Sequence, residues 1–451
     1  MPIPHHIFRS YNIRGLLHEV TPEVAEKAAH ALLVITRAKK VVVGRDMRQT
    51  SPELAQAAIN YFVSKGVEVL DIGMCTSSMY NYAVTSREDI GAGFMVTASH
   101  NPAEYNGIKM AHPTGLPIAG TEVLANCDTP LAQTGGEGSV TSLDILPSYL
   151  EACKKHVNIP DVRGTKIVVD YGNGMGVVSM RPLCEQLGIE VVELYPEPDA
   201  RFPNHEANPA KEETLHDLKK KVREVGADFG VAIDGDADRV AFVDNEGNAV
   251  QGDLTLALMA SDRLSRETGG RVLYSINASW AVEDAVRAAG GQPIACPVGN
   301  TKIIKLMQEY QGMLGGEVSS HFFFPEFHNL EAVDYAFLTV LGIWKRSGKT
   351  FADLLRPLRT YHNSQEMNFE VEDKDGALAA IKERYEQEAE KCITIDGLRY
   401  EFGRTWWMLV RKSNTEPLIR VTIETNDAAL LEEKRIEVKE VLKAFLPAHE
   451  A

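Results

Sequence analysis

The chain has 451 residues, room for about three domains of ~150 residues each or for more if they are small, and carries a net charge of −16. That charge excludes nucleic acid and anionic membrane as partners, and disfavours anionic small molecules except where Arg and Lys are locally clustered. No apolar run reaches the ~18 residues of a membrane span, no signal-like stretch opens the sequence, and the six scattered cysteines include no Cys-x-x-Cys, so reduced thiols in a cytoplasmic protein are expected.

In chain order, the first feature is a cationic loop, Phe8-Arg9-Ser10-Tyr11-Asn12-Ile13-Arg14-Gly15, which by itself reads as surface arginines ahead of a helix. Lys40-Val41-Val42-Val43-Gly44 then reads as a strand and Ser51-Pro52 as an N-cap and first-turn pair. Leu54, Ala57, Ala58, Tyr61 and Phe62 share one helical face before a second strand at 66–71. The same succession of strand, helix, glycine and strand returns at 166–193 and at 271–294. Three copies predict three related α/β domains with mixed, largely parallel sheets.

A glycine-rich segment at 134–139 and a helix opening at Asp144-Ile145-Leu146-Pro147 mark the first boundary. The expected domains are 1–147, 148–252, 253–361 and 362–451. The last has different content and reads as a distinct α+β domain. Residues 367–371 alternate as a strand with one exposed face, 377–392 read as helix, 406–410 as an apolar strand and 428–445 as a terminal helix.

Two strand ends carry chemistry. An apolar run at 91–96 leads into Thr97-Ala98-Ser99-His100-Asn101-Pro102, where the proline keeps Asn101 out of the helical region. A serine on such a turn can face a ligand, and the adjacent histidine can orient or protonate it. A second run, 229–233, ends in Asp234-Gly235-Asp236-Ala237-Asp238-Arg239. Three alternate carboxylates repel unless a cation sits among them, and converging hard oxygens suit Mg²⁺. A solvated acidic turn is the plainer alternative. An EF-hand fails on detail, with Arg239 at the required glycine and Asn245 at the closing glutamate.

Two later stretches are dense in donors. Glu317, Ser319 and His321 sit at alternate positions, so an extended loop would present all three on one side. Arg411, Ser413, Asn414, Thr415 and Arg420, with Pro417 in the turn, make a compact cradle suited to a phosphate dianion.

Together these four ordered motifs resemble the α-D-phosphohexomutase superfamily, most closely its phosphomannomutase/phosphoglucomutase members, from Phe8 to the last strand near Ile423. The resemblance implies four domains around a central active-site cleft. Ser99 would carry a transferable phosphate and would supply a phosphoryl oxygen to Mg²⁺ alongside Asp234, Asp236 and Asp238. It implies that His100 orients the seryl phosphate or sugar, that Arg14 and Lys109 assist proton transfer or steady phosphate, and that Arg239 neutralises charge. Tyr11, Asn300 and Lys302 would contact substrate. Glu317, Ser319 and His321 would hold the sugar's 3- and 4-hydroxyls, and the Arg411–Arg420 cradle the distal phosphate.

The reading is a reversible transfer between hexose 1-phosphate and hexose 6-phosphate, mannose or glucose, through phosphoserine and a 1,6-bisphosphate that also serves as activator. The expected partner is a small phosphosugar, with no nucleic acid or membrane, and the expected assembly a monomer or homodimer. Asn12, Asn277 and Asn300 depart from the family's usual aspartate, lysine and histidine, with Lys302 near enough to compensate. A phosphoglucosamine mutase or phosphopentomutase is therefore the alternative within the superfamily. Outside it stand a phosphosugar phosphatase and a non-catalytic sugar-phosphate binder.

Overall fold

The structure is a computed structural model that describes residues 3–131, 136–413 and 417–447. Three of its sheets are built to one plan. In the first, strand Lys40–Arg45 lies between Glu68–Met74 and Ala92–Val96, parallel to both, and Tyr105–Ala111 then runs antiparallel to Ala92–Val96. In the second, Lys166–Asp170 lies between Glu190–Leu194 and Phe229–Ile233, followed by antiparallel Val240–Asp244. In the third, Arg271–Ser275 lies between Gln292–Cys296 and Leu314–Gly316, followed by antiparallel Phe322–Phe324.

Each parallel step carries a helix, as a crossover requires: Ser51–Ser64 and Ser77–Thr85, Val177–Leu187 and His216–Val225, Trp280–Ala288 and Asn300–Tyr310. The step from third to fourth strand has only a loop, so the chain must reverse there. Those reversals are residues 97–104, 234–239 and 317–321, the three segments singled out for chemistry. The strands feeding them, Ala92–Val96, Phe229–Ile233 and Leu314–Gly316, are buried throughout, as sheets covered on both faces should be.

The fourth sheet is antiparallel, in the order His362–Asn363, Leu418–Thr425, Trp406–Lys412, Leu398–Phe402, Lys391–Ile393, with Met367–Glu370 also paired to Leu418–Thr425. Its alternation is used on both faces. Trp406, Met408 and Val410 pack under helices Lys374–Tyr385 and Ala428–Leu442, while Trp407 and Leu409 meet Ile276 and Trp280 of the third sheet's unit.

Local expectations need three corrections. The helix read at 377–392 stops at Tyr385, because Lys391–Ile393 pairs as an edge strand with Leu398–Phe402. Ser51 is not the cap: Thr50 holds that position, and the Ser51 hydroxyl donates to Asp46 at 2.5 Å. The terminal α-helix is Ala428–Leu442, followed by a 3₁₀ turn, Lys443–Phe445. Among the described residues no helix is long and apolar enough to cross a membrane.

Candidate active site

Ser99 stands at the first reversal with φ of 51°, a left-handed backbone that costs a non-glycine residue about 1–2 kcal/mol. Its N–H donates to Thr97 Oγ1 (2.9 Å). Its hydroxyl donates to Asp234 Oδ2 at 3.1 Å, and His100 Nδ1 lies 3.1 Å from Ser99 Oγ. The reversal loops of the first and second units therefore touch through their functional residues. They approach so closely because Gly235 has no side chain; a Cβ there would fall 2.5 Å from the Ser99 carbonyl oxygen.

Asp234, Asp236 and Asp238 are all buried, and one oxygen from each lies within 4.8 Å of the others. The loop closes on itself through the N–H groups of Asp238 (3.0 Å) and Arg239 (3.1 Å), both donating to Asp234 Oδ1. Asp236 Oδ2 accepts from Ser77, Thr97 and Lys109, whereas Asp236 Oδ1 is buried without a hydrogen-bond partner and Asp238 Oδ1 meets the His321 imidazole at 3.4 Å. Orphaned carboxylate oxygens are costly in isolation and well suited to a cation. This donor set fits a hard divalent metal.

The nearest cation of the chain is Lys109, whose Nζ lies 2.7 Å from Asp236 and 2.8 Å from Asp238. Burial alone would lower the ammonium's pKa, but the two carboxylates outweigh it and raise it. Burial also opposes ionisation of Asp238, yet Lys109 and His321 hold its carboxyl well below the usual range. Burial and the charges of Asp238 and Asp236 push Asp234 well above it. Arg14, on strand Ile13–Leu16, donates to Asn101 Oδ1 (2.8 Å), and burial lowers its pKa to about 10. The charge of Arg239, then burial, keeps His100 well below the ordinary histidine value, so its imidazole is neutral near pH 7.

The third reversal is a tight turn rather than the extended loop expected from alternation. Glu317 N–H donates to the His321 carbonyl (3.0 Å), Ser320 N–H donates to the Glu317 carbonyl (3.0 Å), and Ser320 takes a φ of 70°. The three side chains still converge. His321 Nδ1 lies 3.1 Å from Glu317 Oε2 and 3.0 Å from Ser319 Oγ. Its Nε2 lies 3.2 Å from Arg239 Nε and 3.4 Å from Asp238 Oδ1, so it accepts from arginine when neutral and donates to aspartate when charged. Burial and Arg239 oppose that charge, but Asp238 and Glu317 raise His321 to about 10.

A cleft of about 330 Å³ opens between these loops. Ser99, His100, Arg14 and Lys109 line it from the first unit and Asp238 and Arg239 from the second. Glu317, Ser319, His321 and Asn300 line it from the third, with the partly exposed Tyr11 beside Gly299. Asn300 Nδ2 donates to Glu331 Oε1 (3.3 Å), a buried cleft residue that the sequence did not single out. Lys302 is exposed on helix Asn300–Tyr310 and does not line the cleft, so it does not replace what Asn300 lacks.

The fourth sheet brings Arg411 and Arg420 side by side across paired strands. Glu366 bridges them, 3.2 Å from Arg411 and 3.3 Å from Arg420, and Asp396 joins Arg411 (3.1 Å) to the Val298 N–H (3.1 Å) at the cleft wall. Ser413 follows directly, its N–H bonded to the Leu418 carbonyl (2.9 Å). Asn414 and Thr415 lie outside the described residues.

This arrangement has known counterparts. Residues 5–125, 147–247 and 251–361 match, in order, the alpha/beta/alpha domains I, II and III described as phosphoglucomutase/phosphomannomutase, and residues 366–441 match that family's C-terminal domain. A Xanthomonas campestris protein named "Phosphohexose mutases" is 34% identical over 444 residues, covering 97% of this chain and 99% of the relative. A phosphomannomutase/phosphoglucomutase of Pseudomonas aeruginosa is 34% identical over 457 residues, covering 98% and 96%. The crystal structure of a phosphoglucomutase/phosphomannomutase family protein from Burkholderia thailandensis superposes with a TM-score of 0.89 at 30% identity, over 98% of both chains. With four domains matched in order and likeness running through nearly the whole chain, the protein belongs to the phosphoglucomutase/phosphomannomutase family.

Proposed function

We propose that the protein interconverts hexose 1-phosphate and hexose 6-phosphate, mannose or glucose, with Ser99 as the phosphoryl carrier. The observation that carries this reading is the position of the Ser99 hydroxyl, 3.1 Å from Asp234 and 3.1 Å from His100 on the wall of a sugar-sized cleft.

In the first half-reaction a sugar hydroxyl oxygen bonds to phosphorus as the bond from phosphorus to Ser99 Oγ breaks. The hydroxyl proton leaves to a group in the cleft and a proton returns to Oγ. The resulting 1,6-bisphosphate turns over and gives its other phosphate to Ser99 by the reverse exchange. Neutral His100 can hold a proton beside Oγ. Arg14, its pKa reduced by burial, would assist at the sugar hydroxyl. Lys109 and Arg239 offset charge on the phosphoryl oxygens. Asp234, Asp236 and Asp238, together with a phosphoryl oxygen on Ser99, would hold Mg²⁺, which supplies charge neutralisation at the transferring group.

Glu317, Ser319 and His321, with Tyr11 and Asn300, are the sugar-binding group. Arg411, Ser413, Asn414, Thr415 and Arg420 take the distal phosphate. Arg411 and Arg420 already hold the Glu366 carboxylate between them, which supports anion capture there. Hexose 1,6-bisphosphate would prime Ser99. The buried free thiols suit a reducing, cytoplasmic setting, and the assembly is read as monomer or homodimer.

The test supplies mannose, glucose and glucosamine 1-phosphates with Mg²⁺ and a trace of hexose 1,6-bisphosphate, beside Ser99→Ala. Isomerisation of the mannose or glucose compound, lost in the variant, is expected. Turnover of glucosamine 1-phosphate alone would move the assignment to the amino sugar. Release of inorganic phosphate without isomer would make the protein a phosphatase.

A further inference from the structure

Arg48 follows strand Lys40–Arg45 by three residues and is only 1% exposed. A guanidinium is placed so deep only where its hydrogen-bonding capacity is met. Here Nη1 and Nη2 are met by carbonyls of one stretch of chain, while Nε has no hydrogen-bond partner and only the Asp46 carboxylate nearby. Nη2 donates to the carbonyls of Ser99 (2.9 Å) and Asn101 (2.5 Å), and Nη1 to those of Pro102 (2.7 Å) and Tyr105 (2.8 Å). Its Nε lies 3.3 Å from Asp46, whose other oxygen accepts from the Arg48 N–H (2.9 Å) and the Ser51 hydroxyl (2.5 Å). The Phe202 ring from the second unit lies 5.0 Å from the guanidinium.

Three carbonyls from the serine reversal and that of Tyr105, the first residue of the returning strand, thus converge on one planar cation, drawing the loop into a ring with Ser99 at its start. Holding the Ser99 carbonyl inward fixes the left-handed φ of 51° from which the hydroxyl reaches Asp234 and His100. The guanidinium is also a fixed positive charge beneath the residue that would become a phosphate dianion. Such a charge needs no reorganisation as phosphate arrives and leaves.

We propose that Arg48 is a positioning residue for phosphoryl transfer, holding the serine loop in line so that the phosphate on Ser99 passes to a sugar oxygen rather than to water. This rests on the reading of Ser99 as the phosphoryl carrier. When the bond from phosphorus to Oγ breaks, the acceptor oxygen must already stand opposite it; a slack loop admits water on equal terms.

The test measures, for wild type and Arg48→Lys, the ratio of isomer formed to inorganic phosphate released from the same phosphorylated protein. Both products come only from folded molecules, so partial unfolding leaves the ratio unchanged. Lysine keeps the charge but lacks the planar fork, and the ratio is expected to fall at least tenfold with KM within about threefold. Should Arg48→Lys give no folded protein, Phe202→Leu, which leaves the arginine but removes the ring against it, is expected to lower the ratio about threefold. A ratio unchanged in the folded variant overturns the role of Arg48. A wild type that forms no phosphoserine overturns the reading of Ser99, and the proposal with it.

Discussion

Gly235→Ala tests whether contact between the serine and aspartate loops sets the rate. The backbone at Gly235 is not in the left-handed region, so alanine meets no conformational penalty there. Its Cβ, however, would lie 2.5 Å from the Ser99 carbonyl oxygen and 3.2 Å from the Ser99 carbonyl carbon. Ordinary contact begins at 3.4 Å, so one loop must retreat by about 0.9 Å. The obstruction is backbone on both sides, and Arg48 holds the carbonyl from behind at 2.9 Å. Overpacking of this kind costs about 1–3 kcal/mol, and a misplacement near 1 Å lowers a positioned reaction by about 10²-fold. Steady-state isomerisation and thermal unfolding are measured together. Gly226→Ala is the control: it lies at a helix end with φ of 60° and open space around its Cβ, so it should lose about 1 kcal/mol of stability and no activity. A Gly235→Ala enzyme with kcat within threefold of wild type would mean that contact between the two loops does not set the rate.

Two further outcomes follow from buried or bridging carboxylates. Burial pushes Asp334 up to about 6 from 3.8, with Tyr149 donating to one oxygen (2.9 Å) and the other oxygen without a partner. The folded state then binds the extra proton between pH 4 and 6, so this group favours folding at low pH and its contribution is lost as pH rises through 6. Asp334→Asn should therefore gain up to ~3 kcal/mol at pH 8 and almost nothing at pH 4, read by denaturant unfolding at both. Equal effects at the two pH values would contradict the assignment. In the fourth sheet, Glu366→Gln removes the carboxylate between Arg411 and Arg420. KM for the phosphosugar should fall about 3- to 10-fold with kcat within twofold; a raised KM would mean that Glu366 organises the cradle rather than competes with its ligand.

The sequence made the repeat legible because each unit pairs a buried apolar strand with a helix of clear periodicity. It did not disclose that the serine, aspartate and Glu317–His321 segments are the same reversal in three copies of one plan. That equivalence depends on which strands pair, which periodicity does not encode. Glu317, Ser319 and His321 were recognised, but alternation alone suggested an extended loop, whereas Ser320 at φ 70° folds it into a turn. Nothing in the sequence marks Arg48, because an arginine shortly after a strand usually faces solvent; its partners are carbonyls more than fifty residues away, which no local pattern reports. Lys302, close to Asn300 in sequence, is carried to the outer side of a helix, where proximity in the chain means nothing for the cleft.

In the proposed reaction every transferred phosphate passes through Ser99. The measurement that tests this most directly loads the protein with isotopically labelled phosphate from hexose 1,6-bisphosphate, maps the label, and chases with unlabelled mannose 1-phosphate. Label is expected on Ser99 alone, absent from Ser99→Ala, and passing to the hexose bisphosphate and monophosphate pool at the rate of turnover. Label that never reaches sugar, or isomerisation that persists in Ser99→Ala, would contradict it.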